Sequence, residues 1–166
     1  MGTSFSTSED ARVGGAVICQ TLSVAQASIT NAMVKTDADL AVEKMRHRHV
    51  ITHAQPNTTA TAETKAVYVA SKAAVVKEVK AGAIAAAVGD STVTVDVKIN
   101  GTTVLSSTIG LSSSDTAYVP LDGTINASAD DLTEDQVLTV VITVSAGSGT
   151  LPTGVFVSVT IEELGA

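Results

Sequence analysis

The sequence predicts an all-β fold, a jelly-roll-like antiparallel β-sandwich of about eight strands that follows an extended, partly helical N-terminal arm. From residue 66 to residue 163, Val, Ile and Leu alternate with Thr, Ser and charged residues, and Gly, Asp and Asn separate the alternating stretches. The residues ahead of this region are rich in Ala, Ser and Thr and show no clean period. Short strands at such spacing are typical of a sandwich or jelly roll. We therefore assign residues 1–47 to the arm and 48–166 to the β-sandwich domain.

The composition limits both the stability and the function of the domain. The 166 residues are 45% hydrophobic, mainly Ala and Val, with two Phe, two Tyr and no Trp. Small side chains bury little area each, so association with copies or a partner would help the chain. A net charge of −7 disfavours nucleic-acid binding, which needs a basic surface. The single Cys19 excludes a disulfide framework, and no apolar run is long enough to span a membrane.

The arm contains ambiguous segments and no predicted core of its own. Residues 1–12 are too polar to order themselves by burial. Asp37 could cap a short helix over 38–46, while 16–33 could be helical or extended. We expect neighbouring copies or another protein to hold this arm.

The first half of the sandwich contains one strong hairpin signal. Thr92–Asn100 alternates, with Val93, Val95, Val97 and Ile99 predicted to face inward. Asn100-Gly101 follows directly, and this dipeptide favours a two-residue turn because both positions need positive φ. The other strands predicted in this half are 49–53, 66–70 (with Val67 and Val69 on one face), 75–84, 102–107 as the return strand, and 115–119.

The second half contains two longer strands. Residues 132–136 form an acidic bend that leads into a strand over 137–145, and the last strand covers 155–162. A flexible loop is predicted for 147–154 because it is rich in Gly. The inward positions of the two strands are Leu138, Val140, Ile142, Val144, Val155, Val157, Val159 and Ile161.

Three histidines offer the best pattern for a metal site. His47, His49 and His53 would share one face of a strand. No Cys or carboxylate lies near them in sequence, and Arg46 and Arg48 would repel a cation. We therefore interpret the segment as a polar strand at an interface or sheet edge.

The remaining candidate sites also have simpler interpretations. Asp130, Asp131, Glu134 and Asp135 lack the alternating ligands and central Gly of a calcium loop, so they indicate a solvated acidic bend. No Gly-x-Ser-x-Gly elbow, P-loop or dinucleotide fingerprint occurs. We predict no catalytic, cofactor-binding or metal-binding residues, no cofactor and no enzymatic activity. A carbohydrate-binding module is disfavoured because such modules stack sugars on exposed aromatic rings, which are scarce here.

The strand pattern resembles head-decoration (cement) and head-fibre proteins of tailed bacteriophages. Three stretches carry the resemblance: the strand and Asn-Gly hairpin of 90–107, the acidic residues ahead of the strand at 137, and the closing segment from Gly147 to Glu163. It covers about 100 C-terminal residues and leaves out the arm.

The resemblance implies a non-enzymatic structural protein of a virion. Such proteins are β-sandwich homotrimers that bind the major capsid protein on the outer surface of an assembled head and stabilise the shell. The protein would be made in the host cytoplasm, without binding nucleic acid or membrane. The alternative is a sugar- or cell-surface-binding adhesin or fibre domain.

Overall fold

Two antiparallel β-sheets make up residues 47–163, the part of the chain that the computed structural model describes. The helices considered for 16–33 and 38–46, and Cys19, lie outside the described residues. Within them, no helix is long and apolar enough to cross a membrane. The ten strands are β1 His47–Ala54, β2 Glu63–Val69, β3 Ala74–Ala85, β4 Thr92–Ile99, β5 Thr102–Thr103, β6 Ile109–Leu111, β7 Leu121–Asp122, β8 Asp131–Leu132, β9 Val137–Ser145 and β10 Thr153–Glu163.

The strand order is nested. The first sheet has the order β1-β10-β3-β7, and β8 also pairs with β3. The second sheet has the order β2-β9-β4-β5, and β6 also pairs with β4. The first strand thus pairs with the last, the second with the one before it, and successive nested pairs lie in alternate sheets. All pairings are antiparallel, which confirms the predicted all-β sandwich with two more strands than expected.

The core consists of small aliphatic side chains that alternate along the long strands. In β4, every second residue from Val93 to Ile99 is buried, and β10 repeats this from Val155 to Ile161. In β9, Leu138, Val140 and Ile142 are buried, and Val144 is half-buried against them. The inward positions predicted for these three strands are confirmed. A strand with one buried face fixes its register, because a slip by one residue would expose the whole apolar set.

Bulges shift the alternation in β2 and β3. In β3, the pairing with β10 moves from Glu78 to Val76 and leaves Lys77 as an extra residue. Val76 and Val79 are therefore both buried although they are three residues apart. In β2 the extra residue is Val67, so Val69 is 58% exposed and does not join Val67 against the core as predicted. Bulges of this kind are common in edge strands such as β2.

The Asn100-Gly101 hairpin is confirmed. Ile99 pairs with Thr102 across the turn, and Asn100 and Gly101 have φ values of 46° and 90°. The Asn100 side chain also accepts a hydrogen bond from the Val137 N–H at 2.9 Å, which ties the turn to the start of β9.

Two predicted strands are corrected. The return strand over 102–107 pairs with β4 only at Thr102 and Thr103, because Val104 and Leu105 then turn consecutively into the core, where Leu105 forms an isolated bridge with Ile125. Residues 115–119 form a turn in which Tyr118 has a positive φ of 63°. Short strands occur instead at 109–111 and 121–122, where the sequence contains no run long enough to show a period.

The Gly-rich loop at 147–154 is fixed to its neighbours. Val88 and Thr150 exchange backbone hydrogen bonds of 2.9 Å, and Ser91, which is fully buried, donates to the Thr150 carbonyl at 2.5 Å. The Asp90 carboxylate accepts from the Ser148 N–H at 2.7 Å, and this bond holds the pKa of Asp90 below its usual range. The loop is therefore a packed connection, contrary to the flexible loop predicted.

We predict that Gly101→Val lowers the free energy of unfolding by more than about 1 kcal/mol, because a β-branched residue is strained at positive φ. A Cβ at this position meets no atom within 4 Å, so the cost is conformational. Gly110→Ala is the control. Gly110 has open space around it, as Gly101 does, but its φ is not positive. Urea denaturation of both variants tests this, and an unchanged midpoint for Gly101→Val would contradict it.

We predict a larger loss for Gly149→Ala, about 1–3 kcal/mol, because overpacking forces the backbone to move. A Cβ on Gly149 would lie 2.0 Å from the Val88 carbonyl oxygen, and a backbone atom cannot swing aside. Thermal unfolding measures the effect. If Gly149→Ala melts at the wild-type temperature, the loop at 147–154 does not contact Val88 in solution.

Candidate functional site

The three histidines lie on β1, the edge strand of the first sheet. His49 and His53 each approach a carboxylate, and the two carboxylates are different. Glu63 on β2 lies 3.2 Å from His53 Nε2, and Glu163 on β10 lies 3.5 Å from His49 Nε2. The histidines therefore contribute to two separate polar clusters on one edge of the sandwich.

The first cluster, formed by His53, Gln55 and Glu63, joins the two sheets. Gln55 is buried, and its amide donates to the Glu63 carboxylate at 3.2 Å and to the Thr61 carbonyl at 2.7 Å. The bond from Gln55, followed by that from His53, lowers the pKa of Glu63. This cluster holds the turn between β1 and β2 and fixes how the chain crosses between the sheets.

The second cluster surrounds Glu163 at the end of β10. Its carboxylate accepts a hydrogen bond from the Tyr68 hydroxyl at 2.8 Å and also lies 3.6 Å from Lys72 Nζ. Ser71 donates to it at 3.4 Å. Glu163 continues the inward-facing series of β10, so its side chain points between the sheets and is only 12% exposed. The cluster closes this end of the sandwich with residues from β1, β2 and the β2–β3 turn.

The electrostatics of this cluster follow from its hydrogen bonds. The Tyr68 hydroxyl, the nearby charges of His49 and Lys72, and a hydrogen bond from His49 lower the pKa of the Glu163 carboxyl. Burial, and then the bond to Glu163, raise the pKa of Tyr68. Next to it, Arg48 Nε pairs with the buried Glu162 carboxylate at 2.8 Å. These contacts favour the ionised form of the Glu163 carboxylate.

No group of three or more His, Cys, Asp or Glu side chains among residues 47–163 has a geometry suited to a metal ion. The acidic bend is also dispersed. Asp131 lies in β8 opposite Val75, and Asp135 forms a turn with φ 66° whose N–H donates to the Ala70 carbonyl. Glu134 is exposed to solvent. The absence of catalytic, cofactor-binding and metal-binding residues therefore stays a prediction. Several of the acidic residues considered as ligands have structural partners instead.

A different feature lies near the start of β10, on the segment 112–119. This segment borders a shallow surface depression, which is also lined by the end of β3 and Pro152. Tyr118 is 70% exposed and Val119 is 50% exposed. Sequence reasoning missed this segment because it interpreted 115–119 as a strand, although Pro120 directly after it was a signal for an irregular segment.

Comparison with known proteins does not assign the chain to a family. No family model matches the sequence, and no curated protein matches it significantly.

The Glu163 cluster predicts acid sensitivity. The pKa of this carboxyl in the folded state lies below its ordinary value of 4.5. Its contribution to stability is therefore present above about pH 4.5 and is lost as the pH falls through the lower folded value. Urea denaturation at pH 7 and pH 3 should show a smaller acid-induced loss for Glu163→Gln than for the wild type.

Tyr68→Phe provides the complementary variant. It should cost about 1–3 kcal/mol at pH 7, where the hydroxyl donates to a charged carboxylate, and less at pH 3. An equal cost at both pH values, or an equal acid loss in Glu163→Gln and wild type, would show that the carboxylate is not held as described.

Proposed function

We propose that the chain is a structural virion protein, a homotrimeric capsid decoration protein that binds the major capsid protein on the outside of a phage head and stabilises the shell. The proposal combines the sequence resemblance with the architecture of residues 47–163, and no chemistry is assigned to the domain.

The observation that carries the proposal is the nested strand order. Pairing of β1 with β10, β2 with β9, β3 with β7 and β8, and β4 with β5 and β6 is what results when one long hairpin is rolled into two sheets. We assign this arrangement to the jelly roll, a fold that recurs in viral capsid domains. Because a fold hosts many functions, the strand order supports the proposal together with the resemblance and not by itself.

The position of the chain ends also supports an anchoring role. His47, the last residue assigned to the arm, pairs in register with Glu163, the last described residue. The arm therefore joins the sandwich at the end closed by the Glu163 cluster and the Arg48–Glu162 ion pair. A force on the arm would be carried by β1, which has eight register pairs to β10 and no bulge between them.

The proposal predicts that the arm supplies most of the shell binding. Purified shells with and without the full-length protein are heated, and the full-length protein should raise the rupture temperature. A chain lacking residues 1–45 should retain the β-sheet signal in circular dichroism, because the buried residues of β4, β9 and β10 pack on one another within residues 47–163. Its occupancy on shells should fall sharply, since linked contacts over several subunits provide avidity.

Two outcomes would contradict this proposal. An unchanged rupture temperature at full occupancy would remove the stabilising role. Full occupancy by the folded truncation would place the binding surface on the sandwich and remove the anchoring role of the arm.

A further inference from the structure

β1 is the outermost strand of the first sheet, and within residues 47–163 only β10 pairs with it. An exposed edge strand offers unpaired backbone groups to any other strand, and proteins usually shorten, bend or charge such edges. The other edges of this sandwich are treated in that way, since β2 contains a bulge and β5, β6, β7 and β8 have two or three residues each. β1 has eight residues, no bulge and no proline. It is therefore the one long and regular edge of the described domain.

The pairing with β10 shows which backbone groups of β1 point away from the sheet. In an antiparallel pair, the N–H and the carbonyl of one residue point to the same side, and successive residues alternate. The Gln55 N–H, directly after β1, donates to the Val155 carbonyl of β10 at 2.8 Å, and the register has no shift from His47 to Ala54. The odd-numbered residues of β1 therefore bond to β10. The residues that point outward are Arg48, Val50, Thr52 and Ala54.

A bond on the far side of β3 gives the same alternation. The Gly123 N–H donates to the Val79 carbonyl, so the backbone groups of Val79 point away from its register partner, Val159. Those of Val159 then point toward β1, where its register partner is Ile51. Outside the strand ladders of residues 47–163, no hydrogen bond involves the backbone of the four outward residues. All four are exposed, and Val50 is 67% exposed, so a further strand can reach them.

The side chains of β1 leave this edge accessible. Arg48 pairs with Glu162 of β10 at 2.8 Å, so its charge is directed back toward its own sheet. Val50 and Thr52 are β-branched residues, which are favoured in paired strands. Ile51 packs against the core from the inner face. The edge thus combines an open backbone with side chains that suit a neighbouring strand.

A second copy of β1 matches this edge best in one register. If a two-fold axis perpendicular to the sheet relates the copies, the buried faces stay on the same side only when the axis passes through a residue of β1. Centring on Ile51 places all four outward residues in hydrogen-bonded pairs, Arg48 with Ala54 and Val50 with Thr52 of the second copy. Any other centre leaves at least one of the four outside these pairs. The exposed face of this register also contains no like charges directly opposite each other, which would be destabilising.

The inner face of the same register is compatible with the contacts already described. Ile51 meets its own copy and extends the apolar core that it packs against. His49 lies opposite His53 of the second copy. Each of these histidines has its own carboxylate neighbour, Glu163 or Glu63, which compensates a charge on the ring.

We propose that β1 pairs with β1 of a second copy of this chain, antiparallel and centred on Ile51, so that the first sheets of two chains form one continuous sheet. A copy is favoured over an unrelated strand because β1 is complementary to itself in this register. The contact goes beyond shell stabilisation and does not depend on the proposed trimer. The two-fold axis joins two single chains into a dimer, or two trimers into a closed hexamer.

The first test measures the mass of the full-length protein by sedimentation equilibrium over a series of concentrations. The wild type should contain an even number of chains. Val50→Pro should halve its mass, because proline removes an outward N–H of the contact. An edge strand tolerates proline where the N–H faces outward, and circular dichroism checks the fold. Val50→Ala keeps the N–H, so it is the matched control and should have the wild-type mass.

The result separates this pairing from the proposed trimer. A change from dimer to monomer supports the pairing and contradicts the trimer, whereas a change from hexamer to trimer supports both. Equal masses for the wild type and a folded Val50→Pro at every concentration would overturn the pairing, whether the protein is a monomer or a trimer.

The second test uses disulfide formation and does not require proline. In a Cys19→Ser background, Val50→Cys protein is mixed with Thr52→Cys protein and oxidised. Position 50 of one chain should link to position 52 of the other, because opposed residues lie about 5.5 Å apart at Cα, within the range of a disulfide. Each variant alone should link poorly, since identical positions are diagonal neighbours about 7–8 Å apart. No link in the mixture, or a stronger link between two positions 50, would overturn the proposal.

Discussion

The structure depends on one constraint, the packing of two sheets through small β-branched side chains at every second position. Val93, Val95 and Val97 of the second sheet are fully buried, as are Val155 and Val157 of the first. Because these side chains are short and stiff, they define one register for each strand and leave little room for a slip. Where strict alternation would turn apolar side chains away from the core, as in β3, a bulge at Lys77 returns the following residues to the buried face. The nested order of the strands follows once the long strands are fixed in this way.

The same constraint explains which parts of the fold the sequence predicts. Long alternating strands such as β4, β9 and β10 are predicted correctly, with their inward residues, because one buried face imposes a period of two. The Asn100-Gly101 turn is predicted because its chemistry is local. Segments of two or three residues, such as β6 and β7, cannot show a period. Consecutive burial of Val104 and Leu105, where the chain leaves the sheet, also lies outside any strand pattern.

The polar clusters show a second limit of sequence reasoning. The shared face of the histidines follows from strand geometry, but their partners do not. Glu163 is more than a hundred residues from His49 along the chain, and only the pairing of β1 with β10 brings them together. In sequence, the strand of the histidines is basic and has no carboxylate beside it. Folding brings Glu163 to His49 and Glu63 to His53. The result is two polar contacts along β1, one between His49 and Glu163 near the start of the strand and one between His53 and Glu63 near its end.

The two ends of the sandwich differ in a way that bears on function. At the arm end, polar side chains are paired across β1, β2 and β10, and β2 and β3 each carry a bulge. At the other end, local sequence rules fail at Tyr118, where an aromatic residue takes a conformation suited to glycine and stays exposed. A conformation of this kind costs free energy and persists where the surrounding structure enforces it, here through the bond from the Tyr118 N–H to the Ala83 carbonyl. The chain has only two tyrosines and no tryptophan, so the exposed position of Tyr118 does not follow from a high content of aromatic residues. The two ends therefore differ in chemistry: one is closed by paired polar side chains, and the other exposes Tyr118 and Val119.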